Sequence, residues 1–279
     1  MKISFFETRD REQDFLTNCF LGHEVFFYQE KLDLKSVSKA KDTEIVSVFV
    51  GSEVNKEIID ALPHLKMIAT RSTGFDHIDI AYAKSKGVAV TSVTSYGAHT
   101  VAEFAFGLML NLSRKINGAI DQVKKEKKFD LNNFRGFDLF GKTLGVLGTG
   151  RIGKNSIRIG QGFGMKILAT DLYPDHAFAE ENGVEYVPLD ALLSSSDILT
   201  IHTPYNETTF HLINKENITL IKKGALLINT ARGEIVETEA LISALKSGIL
   251  AGAGLDVLEA ERKFKEADKL RLYGLPFIA

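Results

Sequence analysis

The stretch Leu144-Gly145-Val146-Leu147-Gly148-Thr149-Gly150-Arg151-Ile152-Gly153 decides the fold. Its opening residues read as a buried strand, and its last six match G-x-G-x-x-G, the turn that leads such a strand into a helix. The first glycine makes the tight turn, the second lets a diphosphate approach the backbone, and the third lets helix and strand pack closely. Chance would supply roughly 0.15 such triples in a chain this rich in glycine, so the triple alone is weak. Its context carries it. The following segment places Ile152, Ile159 and Phe163 on one helical face, and Asp171 closes the next strand. A carboxylate there accepts hydrogen bonds from ribose 2′- and 3′-hydroxyls and repels a 2′-phosphate. The helix start, with Arg151 and Ile152 in its first turn, offers free N–H groups and the positive end of the helix dipole to a diphosphate. The stretch predicts a Rossmann domain that binds NAD rather than NADP.

The same alternation of short apolar runs with amphipathic segments extends in both directions, the pattern of parallel sheets covered by helices. Ahead of the glycine turn, strands are expected at Ile3–Phe6, Glu24–Phe27, Ile45–Val50, Met67–Thr70 and Val88–Val90. Asn55 is placed to start a helix through Ile58, Ile59 and Leu62. A long helix is expected from Thr100 to Ile116, with Val101, Phe104, Ala105, Leu108 and Leu112 on one face. The polar stretch Lys124–Gly141 reads as a connection. Strands are then expected at Leu144–Leu147, Lys166–Thr170, Ile198–Ile201, Ala225–Asn229 and Leu250–Gly254, with helices over Ile152–Phe163 and Thr238–Ser247. The fold class is α/β, with two doubly wound parallel-sheet domains at residues 1–99 and 100–279.

The bulk properties agree. A chain of 279 residues, 44% hydrophobic and 25% charged, is that of an ordinary globular protein. A net charge of -2 leaves no broad basic surface, which argues against nucleic acid as a partner. The basic run Lys124, Lys125, Lys127 and Lys128 reads as a solvated helix face. Phe104–Leu112 is about half the length a membrane span needs. The single cysteine, Cys19, and the lack of a basic and apolar leader give a cytoplasmic expectation, with no membrane partner. No metal site is assigned.

Asn229-Thr230-Ala231-Arg232-Gly233 directly follows a predicted strand. Ligands of open α/β sheets sit beyond the carboxyl ends of strands, so Arg232 is aimed at the cofactor crevice, where a guanidinium suits a carboxylate-bearing substrate. A capping or surface ion-pair role for Arg232 stays open. Asp256 and Glu261 follow the next strand and bring acidic groups to the same rim, with a solvated loop as the plain alternative. A carboxylate there would orient a nearby histidine for acid–base work.

Six ordered motifs then carry a resemblance. They are Arg71-Ser-Thr-Gly-Phe-Asp-His-Ile-Asp79, Ser95-Tyr-Gly-Ala-His-Thr-Val-Ala-Glu103, Gly141 through Gly153, His202-Thr-Pro204, Asn229 through Gly233, and Leu255-Asp-Val-Leu-Glu-Ala-Glu261. Together the chain resembles the D-isomer-specific 2-hydroxyacid dehydrogenases, most of all their fermentative D-lactate branch. The resemblance implies a flavodoxin-like substrate domain, a Rossmann NAD-binding domain, a homodimer and a small 2-oxo or 2-hydroxy acid substrate. It implies that Arg232 binds the substrate carboxylate, with the N–H groups of Thr73 and Gly74 on the same group and Tyr96 near the substrate. Glu261 matches the glutamate that pairs with the catalytic histidine, and Asp256 an aspartate on the nicotinamide side. His202, Thr203, Pro204, Thr230 and Ala231 would line the cofactor with the glycine turn. For His202 a satisfied strand-end role stays open.

The resemblance also implies a catalytic histidine in a loop after Glu261, and none of the seven histidines follows that residue. The second domain is therefore expected to be incomplete at its C-terminal end, a truncated version of the enzyme whose activity stays open. Loss of such a proton donor costs a factor of about 10²–10⁴ in rate. His99 is a poor substitute, because catalytic geometry must be met first, and His77 is expected to cap or pack locally. Two other readings stay open: a non-catalytic NAD-binding protein, and a member acting on another 2-hydroxy acid.

Overall fold

A computed structural model describes residues 1–128, 130, 132, 134–259 and 277–278. The chain folds into two compact units, Met1–Gly97 and Ala98–Ala279. The boundary expected after His99 falls inside the first turn of helix α4 (Ala98–Arg114).

The first unit is a five-stranded sheet in the order β2-β1-β3-β4-β5, built from β1 (Lys2–Phe5), β2 (Glu24–Phe27), β3 (Ile45–Val48), β4 (Met67–Thr70) and β5 (Ala89–Ser92). Every neighbouring pair is parallel. This 2-1-3-4-5 order is the flavodoxin-like one. Helices α1 (Asp10–Cys19), α2 (Lys56–Asp60) and α3 (Ile80–Ser85) belong to the connections. Asn55 caps α2 by accepting from Ile58 N–H, and Asp79 caps α3 from Tyr82 N–H. Phe6, Leu32, Val46, Val48, Ile58 and Ile68 form the core.

The second unit is a seven-stranded parallel sheet in the order β12-β11-β10-β9-β6-β7-β8. Its strands are β6 (Thr143–Leu147), β7 (Lys166–Thr170), β8 (Glu185–Tyr186), β9 (Ile198–Ile201), β10 (Ala225–Asn229), β11 (Leu250–Leu255) and β12 (Phe277–Ile278). Counted within the unit this is 3-2-1-4-5-6-7, the Rossmann order with one strand added, and its order reverses between β6 and β9. One face carries a core of Leu192, Leu193, Leu199, Leu227 and Leu241; the other carries Phe106, Met109, Leu144, Ile157 and Ile228. The helices after α4 are α5 (Ile116–Asp121), α6 (Arg151–Gly162), α7 (His176–Asn182), α8 (Leu189–Ser195) and α9 (Thr238–Ser247). No helix among the described residues is long and apolar enough to cross a membrane.

Two helix faces differ from expectation. On α6 the buried residues are Gly153, Asn155, Ser156, Ile157 and Gly160, whereas Ile152 and Ile159 are half-buried and Phe163 is exposed. The helix lies so close to the sheet that a methyl on Gly160 would sit 2.8 Å from the Leu144 side chain, so small residues occupy the contact and the bulky ones flank it. On α4 the buried face is Ala102, Ala105, Phe106, Leu108 and Met109, and Phe104 is exposed. Phe106 stacks on Phe163 with ring centres 5.5 Å apart, which helps to fix the rotation of this helix. Lys115 then takes a left-handed conformation and separates α4 from α5.

Candidate functional site

The glycine turn sits where the sheet order reverses. Gly148 has φ 93°, and a methyl on it would lie 2.8 Å from the backbone of His202 and Thr203, so a side chain is barred twice. A methyl on Gly153 would meet Gly148 O at 2.0 Å. Gly150 is different: it caps α6 without a side chain, and nothing lies within 4 Å of where its methyl would be. The result is an open approach to the N-terminus of a twelve-residue helix, with Arg151 and Ile152 in its first turn. A diphosphate fits that opening, since exposed N–H groups and the helix dipole both favour an anion.

Asp171 directly follows β7 beside this turn. Its Oδ2 accepts from the N–H and hydroxyl of Thr149, and its Oδ1 from Tyr173 N–H at 2.9 Å. Partial burial opposes the charge, but these bonds outweigh it and hold the carboxyl below its ordinary range. Asp171 is therefore a fixed anion at the position read as ribose-binding.

Across the reversal, β9 and β10 end in polar groups. His202 is buried, and its Nε2 meets Ser156 Oγ at 2.9 Å and Thr200 Oγ1 at 3.0 Å. Burial pushes its imidazole down to about 4, so it is neutral near pH 7. Its Nδ1, together with Thr203 Oγ1 and Thr230 Oγ1, has no hydrogen-bond partner among the described residues. Buried polar atoms are rarely left unpaired, and three at the carboxyl ends of neighbouring strands fit a polar cofactor there. Pro204 is exposed and Ala231 half-buried on the same rim. His202 is thus half-satisfied: its Nε2 is paired within the fold and its Nδ1 has no partner among the described residues.

Arg232 lies two residues beyond Asn229-Thr230, half-buried. Asn229 shapes the turn that carries it, accepting from Ala231 N–H at 3.0 Å and donating Nδ2 to Arg232 O at 2.8 Å. The Arg232 guanidinium also donates to Ala231 O at 2.7 Å. Gly233 packs backbone to backbone on the next strand's exit: a methyl there would lie 2.0 Å from Leu258 C. Asp256 N–H donates to Asn229 O at 3.0 Å, and lost hydration raises the Asp256 carboxyl above its ordinary range. Glu261 lies outside the described residues.

A histidine–carboxylate pair does occur on this rim, between residues that sequence reading missed. His211 Nε2 meets Glu259 Oε1, and Glu259 Oε2 accepts from Thr238. No motif announced it, because the partners stand 48 residues apart.

In the first unit, Thr73 and Gly74 follow β4. His77 Nε2 meets Thr70 Oγ1 at 3.1 Å, Thr70 meets Ser72 Oγ at 2.6 Å, and Ser72 donates to Gly74 O at 2.6 Å. The Thr73 hydroxyl donates to Val93 O. His77 therefore packs locally and braces this loop. Arg71 donates to Ser47 Oγ, Phe6 O and Glu7 O, tying the carboxyl ends of β1, β3 and β4 together. Tyr96 is exposed, and so is His99 at the start of α4.

Residues 106–276 match the family described as D-isomer specific 2-hydroxyacid dehydrogenase, NAD binding domain. The chain is 37% identical over 273 residues to D-lactate dehydrogenase of Escherichia coli, covering 96% of this chain and 82% of that one. It is 38% identical over 229 residues to a glyoxylate reductase of Korarchaeum cryptofilum, covering 81% and 69%. Among solved structures, the D-lactate dehydrogenase of Aquifex aeolicus complexed with NAD and lactic acid superposes with a TM-score of 0.88 at 37% identity, covering 98% of this chain and 81% of that one.

Proposed function

Because the chain belongs to the D-isomer-specific 2-hydroxyacid dehydrogenases and carries their NAD-binding domain, we propose that it interconverts pyruvate and D-lactate. The observation that carries this is Arg232, held by Asn229 at the end of β10 on the rim that also bears the unpaired cofactor-facing groups of β9 and β10. Bound NADH supplies a hydride to the carbonyl carbon of the 2-oxo acid. Arg232 binds the substrate carboxylate through paired N–H donors and draws charge from the carbonyl. In the first unit, Thr73, Gly74 and Tyr96 are assigned to substrate binding from the family resemblance. Asp256 supplies an acidic group on the same rim, and Glu261, which lies outside the described residues, is assigned from the family resemblance alone. The similarity to two D-lactate dehydrogenases supports pyruvate; the similarity to glyoxylate reductases makes glyoxylate the competing substrate.

Reduction also needs a proton for the substrate oxygen. The family's donor is a histidine after the position of Glu261, and no histidine follows Glu261 in these 279 residues. The test follows NADH oxidation with pyruvate and with glyoxylate, on this chain and on one extended by a histidine-bearing segment. Pyruvate-dependent oxidation in either chain supports the reading, and Arg232→Lys then lowers kcat/KM by about tenfold or more, since lysine cannot pair with both carboxylate oxygens. NADH binding with no oxidation in either chain overturns it in favour of a non-catalytic role. A homodimer in the cytoplasm belongs to the same proposal; light scattering should give twice the 30.8 kDa chain mass.

A further inference from the structure

A relay of hydrogen bonds runs beneath Asp171. Asp175 N–H donates to Tyr186 Oη at 3.2 Å, Tyr186 Oη lies 2.8 Å from Thr149 Oγ1, and Thr149 Oγ1 donates to Asp171 Oδ2 at 2.9 Å. The direction of each bond is forced. Thr149 has one hydroxyl proton, and it goes to Asp171, which as an anion only accepts. Tyr186 must therefore give its own proton to Thr149, leaving its lone pairs for the Asp175 amide. Every proton in the relay points towards the carboxylate.

The relay joins four elements: the glycine turn after β6, the end of β7, the start of α7 and the edge strand β8. Each anchor is fixed independently. Asp175 caps α7 by accepting from Phe178 N–H at 3.1 Å, and its other oxygen pairs with Lys154 of α6. Tyr186 stands opposite Ala169 in the β7–β8 ladder, with its ring edge-on to His176. Val187 N–H donates to Ala169 O and Thr170 Oγ1 donates to Val187 O, so the two-residue strand is tied down on both sides of its partner.

We propose that Tyr186 is a positioning residue for the cofactor: it locks Thr149, and through it Asp171, in the orientation that receives the adenosine ribose, and so widens the preference for NAD over NADP. This rests on the reading of Asp171 as the ribose carboxylate. With Oδ2 committed to Thr149, the ribose hydroxyls add their bonds at Oδ1, beside Tyr173 N–H. A 2′-phosphate would meet an anion that cannot rotate away. Without the Tyr186 proton, the Thr149 hydroxyl is free to turn away from Asp171, and the carboxylate keeps only the backbone N–H groups of Thr149 and Tyr173 to orient it. Cooperative chains of this kind strengthen each member bond.

NADH and NADPH binding is measured by fluorescence on the 279-residue chain, on Tyr186→Phe, on Asp171→Ala and on the double variant. Phenylalanine keeps the ring and its packing and removes only the hydroxyl. Tyr186→Phe should weaken NADH binding roughly three- to tenfold while leaving NADPH nearly unchanged, narrowing the ratio by the same factor. In the Asp171→Ala background it should have no further effect, as two links of one relay are not additive. A tyrosine that only packs would leave both nucleotides unchanged in Tyr186→Phe, and a general disturbance of the turn would weaken both alike and add to Asp171→Ala; either result overturns the proposal. If Asp171→Ala itself leaves the ratio unchanged, the ribose reading fails first and takes the relay with it.

Discussion

Nε2 of His211 lies 2.7 Å from Oε1 of Glu259. The other oxygen of the same carboxylate accepts from Thr238 N–H at 3.0 Å and from the Thr238 hydroxyl at 2.6 Å. One side chain thus ties the exit of β11 to the left-handed turn at His211 and to the first residue of α9.

Glu259→Ala should therefore destabilise the second unit by about 1–3 kcal/mol, a fall in Tm of roughly 3–10 °C by calorimetry. Burial works against the Glu259 charge, but the bonds from Thr238 and His211 prevail and hold its pKa below the ordinary value. A lowered folded pKa means stability that is present above the unfolded value and lost as pH falls through the folded one. The wild-type chain should lose this increment below about pH 4.3, and Glu259→Gln should lack that acid limb. An unchanged limb in Glu259→Gln would show that other carboxylates set it.

Two glycines of one motif should separate folding from binding. Gly153→Ala places a methyl 2.0 Å from Gly148 O, a backbone atom that cannot yield, and should cost more than about 3 kcal/mol. Gly150→Ala places its methyl in open space, so Tm should hold within about 2 °C while NADH affinity falls tenfold or more. Equal affinity in Gly150→Ala would move the diphosphate elsewhere.

His202 should resist protonation. Its imidazole is pushed down to about 4 by burial, against about 6.5 in an unfolded chain. The unfolded state then binds the extra proton between those values, so stability rises with pH from about 4 to about 6.5 and is flat above. The span corresponds to about 3 kcal/mol. Urea midpoints of wild type and His202→Asn, measured from pH 4.5 to 7.5, should differ in slope over this window. Parallel curves would mean that His202 titrates normally.

Asn229→Ala should cost about 1–3 kcal/mol, because it removes two bonds at a position 1% exposed and takes from Ala231 N–H its acceptor, while Arg232 O keeps the bond from Ile235 N–H. Chemical unfolding reads this directly. A loss under about 0.5 kcal/mol would show that the turn before Arg232 is held by other contacts.

Much of the fold was legible because parallel strands buried on both faces read as continuous apolar runs. Glu24–Phe27, Met67–Thr70, Lys166–Thr170, Ile198–Ile201 and Ala225–Asn229 end where the sequence places them. Strand β8 was not legible, since two residues carry no period. The α6 face was misread because bulky residues dominate any periodicity, whereas the buried face pairs Ile157 with Gly153, Asn155, Ser156 and Gly160. At the site, the glycine turn and Asp171 announce themselves through local spacing. The Thr149–Tyr186 and His211–Glu259 pairs do not: their partners lie 37 and 48 residues apart, and meet only once the sheet has formed.

The neighbours of β6 also govern how the chain is made. β6 pairs with β7 on one side and with β9 on the other. During synthesis β7 is complete at Thr170, but the second partner ends only at Ile201. At about 5–20 residues per second, one edge of β6 waits some seconds for its mate on the ribosome. That edge is apolar on both faces, with Leu144, Val146 and Leu147 destined for the core. An interior strand of the finished sheet is thus the exposed margin of the nascent one, where a holding chaperone or a neighbouring nascent chain would first take hold.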